Sequence, residues 1–163
     1  MIDIKVRENI KDLKTLTKRY PDVSQAASTS KMTKALALLE RIVEQKTPEG
    51  AGPVHLRDTI HGKTIAFGHK VSGILGTPSP YGEPVEFGAR PHFPPVAPLQ
   101  HWVEKKLGLS GSEAKSVAYA IASSIAKHGT EGAHMFEEGF DEARDDVLRI
   151  LRSIPDEIVR RIQ

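Results

Sequence analysis

The sequence predicts an α+β fold, in which a small antiparallel or mixed sheet is packed by several helices and the chain ends in a long amphipathic helix. Three observations carry this. Apolar residues recur at helical spacing near both ends of the 163-residue chain. A β-branched, partly alternating stretch occupies residues 54–71. Between the helical regions lies a joint, YGEPVEFGARPHFPP (81–95), too rich in proline and glycine to stay regular. The length suits one domain over residues 1–163, with 1–20 as an appended helical arm. With 39% apolar and only 6% aromatic residues, the core is expected to be small or flat, leaving some apolar surface for partners.

Val6, Ile10, Leu13, Leu16 and Tyr20 place a first helix over about residues 6–20, although Ile2 and Ile4 alternate with charges and fit a short edge strand equally well. Pro21 interrupts it. Asp22 with Gln25 is a helix start of capping-box type. Met32, Leu36, Leu39 and Val43, flanked by Ala35 and Ile42, form the stripe of a second helix ending near Thr47 and Pro48, with Gly50 and Gly52 beyond. VHLRDTI and KTIAFGHKV read as a strand or helical turn, a tight turn at His61 and Gly62, then a strand. GILGTPSP reads as loop, and VEF (85–87) as one more short strand. Residues 94–98 are extended and 97–107 form a short helix carrying the only tryptophan, Trp102. Ser110 with Glu113 is a capping box for the next helix. Its small face is Ala114, Val117, Ala118, Ile121, Ala122 and Ile125, and Gly129 stands where a left-handed cap belongs. The strongest stripe is the last: Phe136, Phe140, Ala143, Val147, Ile150, Ile154 and Ile158, with Pro155 kinking or restarting the helix.

The same residues disfavour most reactive chemistry. Without cysteine there is neither a disulfide nor a thiolate zinc site. The seven histidines (His55, His61, His69, His92, His101, His128, His134) show no HExxH or i,i+4 pair, and His134 beside Glu137 and Glu138 fits a solvated surface better than a metal site. GHKVSGILGT lacks P-loop spacing, no G-x-S-x-G elbow occurs, and Asp58, His61 and Ser72 have no spacing that favours a triad. The pairs Glu137/Glu138 and Asp145/Asp146 read as solubilising charge. Catalytic, cofactor-binding and metal-binding residues are therefore expected to be none, and cofactors none. Lys11, Lys14, Lys18 and Arg19 form a basic face without interleaved aromatics, which leaves a small DNA-binding protein as an alternative of another class. A hydrolase using the histidines is the weakest alternative. No apolar run reaches the length of a membrane span and the N-terminus lacks a secretory core, so an intracellular or lysis-released location is expected.

Charge is unevenly placed. Residues 1–46 carry ten Lys/Arg against six Asp/Glu, and residues 131–163 carry five against nine. Two readings stand: solvated helix faces that pair weakly within the fold, or head-to-tail complementarity between copies.

The order of elements resembles a known family. Two helices lead to TP–G–LRDTI (47–60), a glycine-punctuated β region, Tyr81-Gly82, VEFGARPHFPP (85–95), an Ala-rich helix and GTEGAHMFEEGFDEA (129–143). This is similar to the tail-completion (neck) proteins of tailed bacteriophages and prophages, related to the minor tail protein Z of lambda. The resemblance covers about residues 30–150. It departs at Ala89, where the family commonly has threonine, and at Met135-Phe136, where proline-phenylalanine is common. It implies a small α+β protein of the virion that acts without catalysis. That protein is assembled in the host bacterial cytoplasm and forms a homo-oligomeric ring, of six copies, at the head–tail neck. Implied partners are the tail terminator, tail tube or head–tail connector, with non-specific contact to DNA passing through the lumen and no membrane. A tail terminator or head–tail adaptor is the neighbouring alternative. Under this resemblance, ring or partner contacts fall on Tyr81, Glu86, Phe87, Arg90, His92, Phe93, Phe136 and Phe140, while Phe87 and Trp102 fit core packing as well as contact.

Overall fold

The computed structural model describes residues 11–50, 55–68 and 70–163. Ile2, Ile4, Val6 and Ile10 of the expected first helix or edge strand, together with Gly52, Val54 and His69, lie outside the described residues. The fold is α+β, as predicted, and its elements cluster into two compact units.

The first unit contains α1 (Lys11–Arg19), α2 (Pro21–Lys46) up to Glu44, the strands β1 (His61–Phe67) and β2 (Lys70–Gly76), α6 (Met135–Arg152) from Phe136 onward, and α7 (Ile154–Ile162). Pro21 opens α2, where its missing N–H has no helical acceptor to lose. β1 and β2 pair antiparallel with Phe67 opposite Lys70 and His61 opposite Gly76. This corrects two expectations. The turn lies at Gly68 (φ 55°) rather than at His61 and Gly62, and GILG is strand rather than loop. The reason is packing. A Cβ on Gly73 would sit 2.7 Å from the Met32 sulfur, and one on Gly62 would sit 3.1 Å from Leu36 Cβ. These glycines mark the close approach of α2, not a break in the strand.

The hairpin runs along α2 in the opposite sense. The Gly62 N–H donates to Glu40 Oε2 (2.7 Å), the Thr64 and Thr33 hydroxyls meet at 3.1 Å, and Gln25 Nε2 donates to the Gly68 carbonyl (3.0 Å). Six residues of strand span about 20 Å, and the fifteen from Glu40 back to Gln25 span about 22 Å of helix. The two elements therefore match in length. Ala35, Leu36, Leu39, Ile42 and Val43 of α2 are buried, as are Ala143, Val147 and Leu151 of α6 and Ile158 of α7. The C-terminal stripe restarts rather than kinks. Ser153 separates α6 from α7, its hydroxyl donates to the Ile150 carbonyl (2.7 Å), and Pro155 occupies the first turn of α7. Lys31, from the basic N-terminal region, lies 3.7 Å from Glu157 of the acidic C-terminal region.

The second unit contains a 3-10 turn (Leu56–Thr59), α3 (Gly82–Phe87), α4 (Val96–Leu107) and α5 (Gly111–His128). Val103, Ala114 and Ala118 are fully buried where α4 meets α5, and Trp102, Leu99 and Val117 pack around them. Small residues on α5 let the two helices approach closely. Gly108 (φ 69°, ψ 13°) closes α4 in the left-handed conformation. Two capping expectations are corrected. Ser110 has N-cap backbone geometry but its side chain makes no capping hydrogen bond, and Gly129 (φ 74°, ψ −156°) is not left-handed helical.

Residues 85–87 are helical, not the strand expected from sequence. Pro84 falls in the first turn of α3, where its fixed φ favours the helix and no donor is missed. The entry is set by a turn: the Gly82 N–H donates to the Ser79 carbonyl and the Val85 N–H to the Tyr81 carbonyl, both at 3.0 Å. Gly88 (φ 81°) ends the helix. One β-branched residue, Val85, cannot outweigh these signals.

Candidate functional site

The joint at 81–95 is held by a backbone knot within the second unit. As α3 ends, residues 85–89 run beside residues 130–134. The Ala89 N–H donates to the Thr130 carbonyl (3.1 Å), and the Thr130 N–H donates back to the Ala89 carbonyl (2.9 Å). The Thr130 hydroxyl also accepts from the Ala89 N–H (3.0 Å). Further along, the Ala133 N–H donates to the Val85 carbonyl (2.7 Å) and the His134 N–H to the Glu86 carbonyl (3.1 Å). The two chain segments touch so closely that side chains are excluded. A Cβ on Gly88 would lie 2.3 Å from the Thr130 oxygen, on Gly129 2.2 Å from the Ala89 oxygen, and on Gly132 2.3 Å from the Glu86 oxygen. Two separate pieces of sequence, VEFGA and GTEGAH, thus form one rigid element.

Beyond the knot, the His92 Nδ1–H donates to the Arg90 carbonyl (2.8 Å), and Pro91, Pro94 and Pro95 stiffen the run into α4. What this element carries outward is aromatic. Tyr81 is 70% exposed, Phe87 63% and Phe93 53%. Arg90 and His92 are exposed with them. Phe93 meets Tyr119 of α5 edge-on, ring centroids 5.7 Å apart, and Tyr119 is exposed too. Phe87 is therefore surface, whereas Trp102 packs against the core of this unit.

The eight residues expected at a contact divide. Tyr81, Phe87, Arg90, His92 and Phe93 share the joint and are exposed. Glu86 is buried, so it faces inward where a contact residue was expected. Phe136 and Phe140 belong to the other unit and are half-buried along α6. Tyr119 was missed by sequence reasoning, and its signal is weak: an aromatic beside, not within, the alanine stripe of α5. Phe67, 85% exposed at the end of β1, was also missed, because its face depends on which side of the strand α2 covers.

The residues considered for chemistry do not assemble. His61 and Ser72 share a face of the hairpin, but Ser72 pairs with Ile65, four residues along from His61 and so about 13 Å away. His61 instead has Glu40 within 3.7 Å. Among the described residues, no three His, Asp or Glu side chains gather in a group able to hold a metal ion, and no helix is long and apolar enough to cross a membrane.

One buried carboxylate stands out electrostatically. Glu157 of α7 accepts from Arg161 Nε (2.8 Å) and also pairs with Arg160. The Arg161 hydrogen bond and the charge of Arg160 hold its carboxyl below the usual carboxylate range, outweighing the opposite push of burial. The site ties α7 to α2 through Lys31 and is structural.

The chain matches no family model, and no curated protein or solved structure matches it either.

Proposed function

We propose that this protein is a non-enzymatic structural component of a bacteriophage or prophage virion, completing the tail and forming part of the head–tail neck as a homo-oligomeric ring. One observation carries the reading: a knotted, proline-stiffened joint holds Phe87 and Phe93 out to solvent, with Tyr81 and Arg90 alongside. Rigid aromatic and arginine side chains are what interface hot spots favour, and pre-organisation lowers the entropic cost of binding. The two segments that carry the resemblance to neck proteins, VEFGARPHFPP and GTEGAHMF, meet in this element, which supports assigning it the contact role. A heterologous contact of this kind closes into a ring when the rotation between copies allows.

Electron microscopy of the purified protein is expected to show rings, and gold-labelled antibody is expected to decorate the neck of tailed particles. A strictly monomeric protein absent from such particles overturns the reading.

A further inference from the structure

A second surface lies in the first unit, on the outward face of the β-hairpin. Alternation assigns the faces. Gly62, Thr64 and Gly73 turn toward α2, so Lys63, Ile65, Phe67 and, across the ladder, Lys70 and Ile74 lie on the opposite side. Phe67 is 85% exposed and Ile65 41%, so this face offers apolar surface to water without cover. It is also one-signed: residues 59–82 contain no acidic side chain. Among the described residues neither Lys63 nor Lys70 has an ion-pair partner.

The same chain carries the complement. On α6, Glu138, Asp141, Glu142 and Asp145 are exposed and recur at helical spacing. From Glu138 to Asp145 the row runs about 10 Å. Lys63 and Lys70 are about 13 Å apart along the ladder. The two charge patterns therefore have comparable length and opposite sign, and among the described residues no member of the row pairs with either lysine.

We infer that the outward hairpin face docks on the acidic row of α6 of a second copy of this chain, with Phe67 and Ile65 as the apolar centre of the contact and the lysines as its steering rim. Such a contact joins two different faces and so leaves one of each free on every pair, as a head-to-tail assembly requires. The inference rests on the ring reading above and specifies one of its contacts.

Charge reversal tests it on the full chain. Lys63→Glu with Lys70→Glu is expected to weaken self-association about a hundredfold, as is Asp141→Lys with Asp145→Lys, because like charges then face each other. Mixing the two variants should restore assembly, since each reversed face meets its new complement. Phe67→Ser should also lose association. Light scattering after gel filtration reads the mass, and circular dichroism with thermal melts should show every variant folded like the parent. If the parent assembles and neither reversal changes its mass, this contact is wrong while the ring reading stands. If the reversals disrupt but the mixture stays dissociated, the pairing of these two faces is wrong. Salt-sensitive binding of a short duplex DNA probe, lost on hairpin reversal while the mass is unchanged, overturns the inference in favour of nucleic acid. A parent that is monomeric at every concentration and labels no particle removes the ring reading and this contact together.

Discussion

At the residue scale, the knot and one carboxylate make sharp predictions. Gly129 and Gly108 both have positive φ, yet a Cβ on Gly129 meets the Ala89 oxygen at 2.2 Å while one on Gly108 meets nothing within 4 Å. Gly108→Ala is therefore expected to cost only the left-handed penalty, about 1–2 kcal/mol. Gly129→Ala adds a backbone collision and is expected to cost at least about 2 kcal/mol more, measured by urea denaturation. Equal losses would contradict the close approach. Glu157 supplies the pH dependence. Its folded pKa lies below the unfolded value, so its contribution is present above the ordinary carboxylate range and is lost as pH falls through the folded pKa. The stability gap between the parent and Glu157→Gln should be widest near neutral pH and should shrink as pH drops below about 4. A gap independent of pH would exclude the ion pairs as its source.

At the element scale, helix spans were legible and strand identity was not. Apolar residues three and four apart mark α2, α4, α5 and the C-terminal pair, because a helix meets its core at that period whatever its neighbours are. The hairpin was legible as strand-like, but its turn was misplaced, since the glycines of β1 and β2 read locally as breakers while α2 uses them for contact. The faces of α7 allow a direct check. Ile158 is fully buried and its neighbour Val159 is 44% exposed. Ile158→Ala is expected to destabilise by about 2–5 kcal/mol, and Val159→Ser by less than about 0.5 kcal/mol, in the same denaturation assay. Similar effects at both positions would mean that α7 is not docked through its stripe.

At the scale of the whole molecule, the exposed aromatics separate assembly from folding. Phe87→Ser and Phe93→Ser remove side chains that are 63% and 53% exposed. The folded monomer should survive both, with Phe93→Ser losing about 0.5–1.5 kcal/mol through its edge contact with Tyr119. Gel filtration should instead show reduced self-association, while His92→Ala leaves the monomer folded. Unfolding of the Phe87 variant would assign that ring to the core. Of the contact residues expected from sequence, the exposed five sit on one joint because proline and glycine make it rigid there. Glu86 could not be placed from sequence, since its neighbour in space, residue 134, is 48 positions away.

The sequence by itself determined where the longer helices run, where proline interrupts them, that a short β-like stretch occupies residues 54–71, and that residues 81–95 form a stiff aromatic joint. These depend on local geometry: the 3.6-residue period, the fixed φ of proline and the freedom of glycine. Only the tertiary structure decided that 85–87 is helix, that GILG is strand, that Glu86 turns inward, and that Phe67 and Phe87 face water. The helix at 85–87 is set by its local turn at residues 79–85, but the others depend on backbone segments brought close from elsewhere in the chain, and hydrogen bonding and steric exclusion between such segments leave no periodic trace in either one.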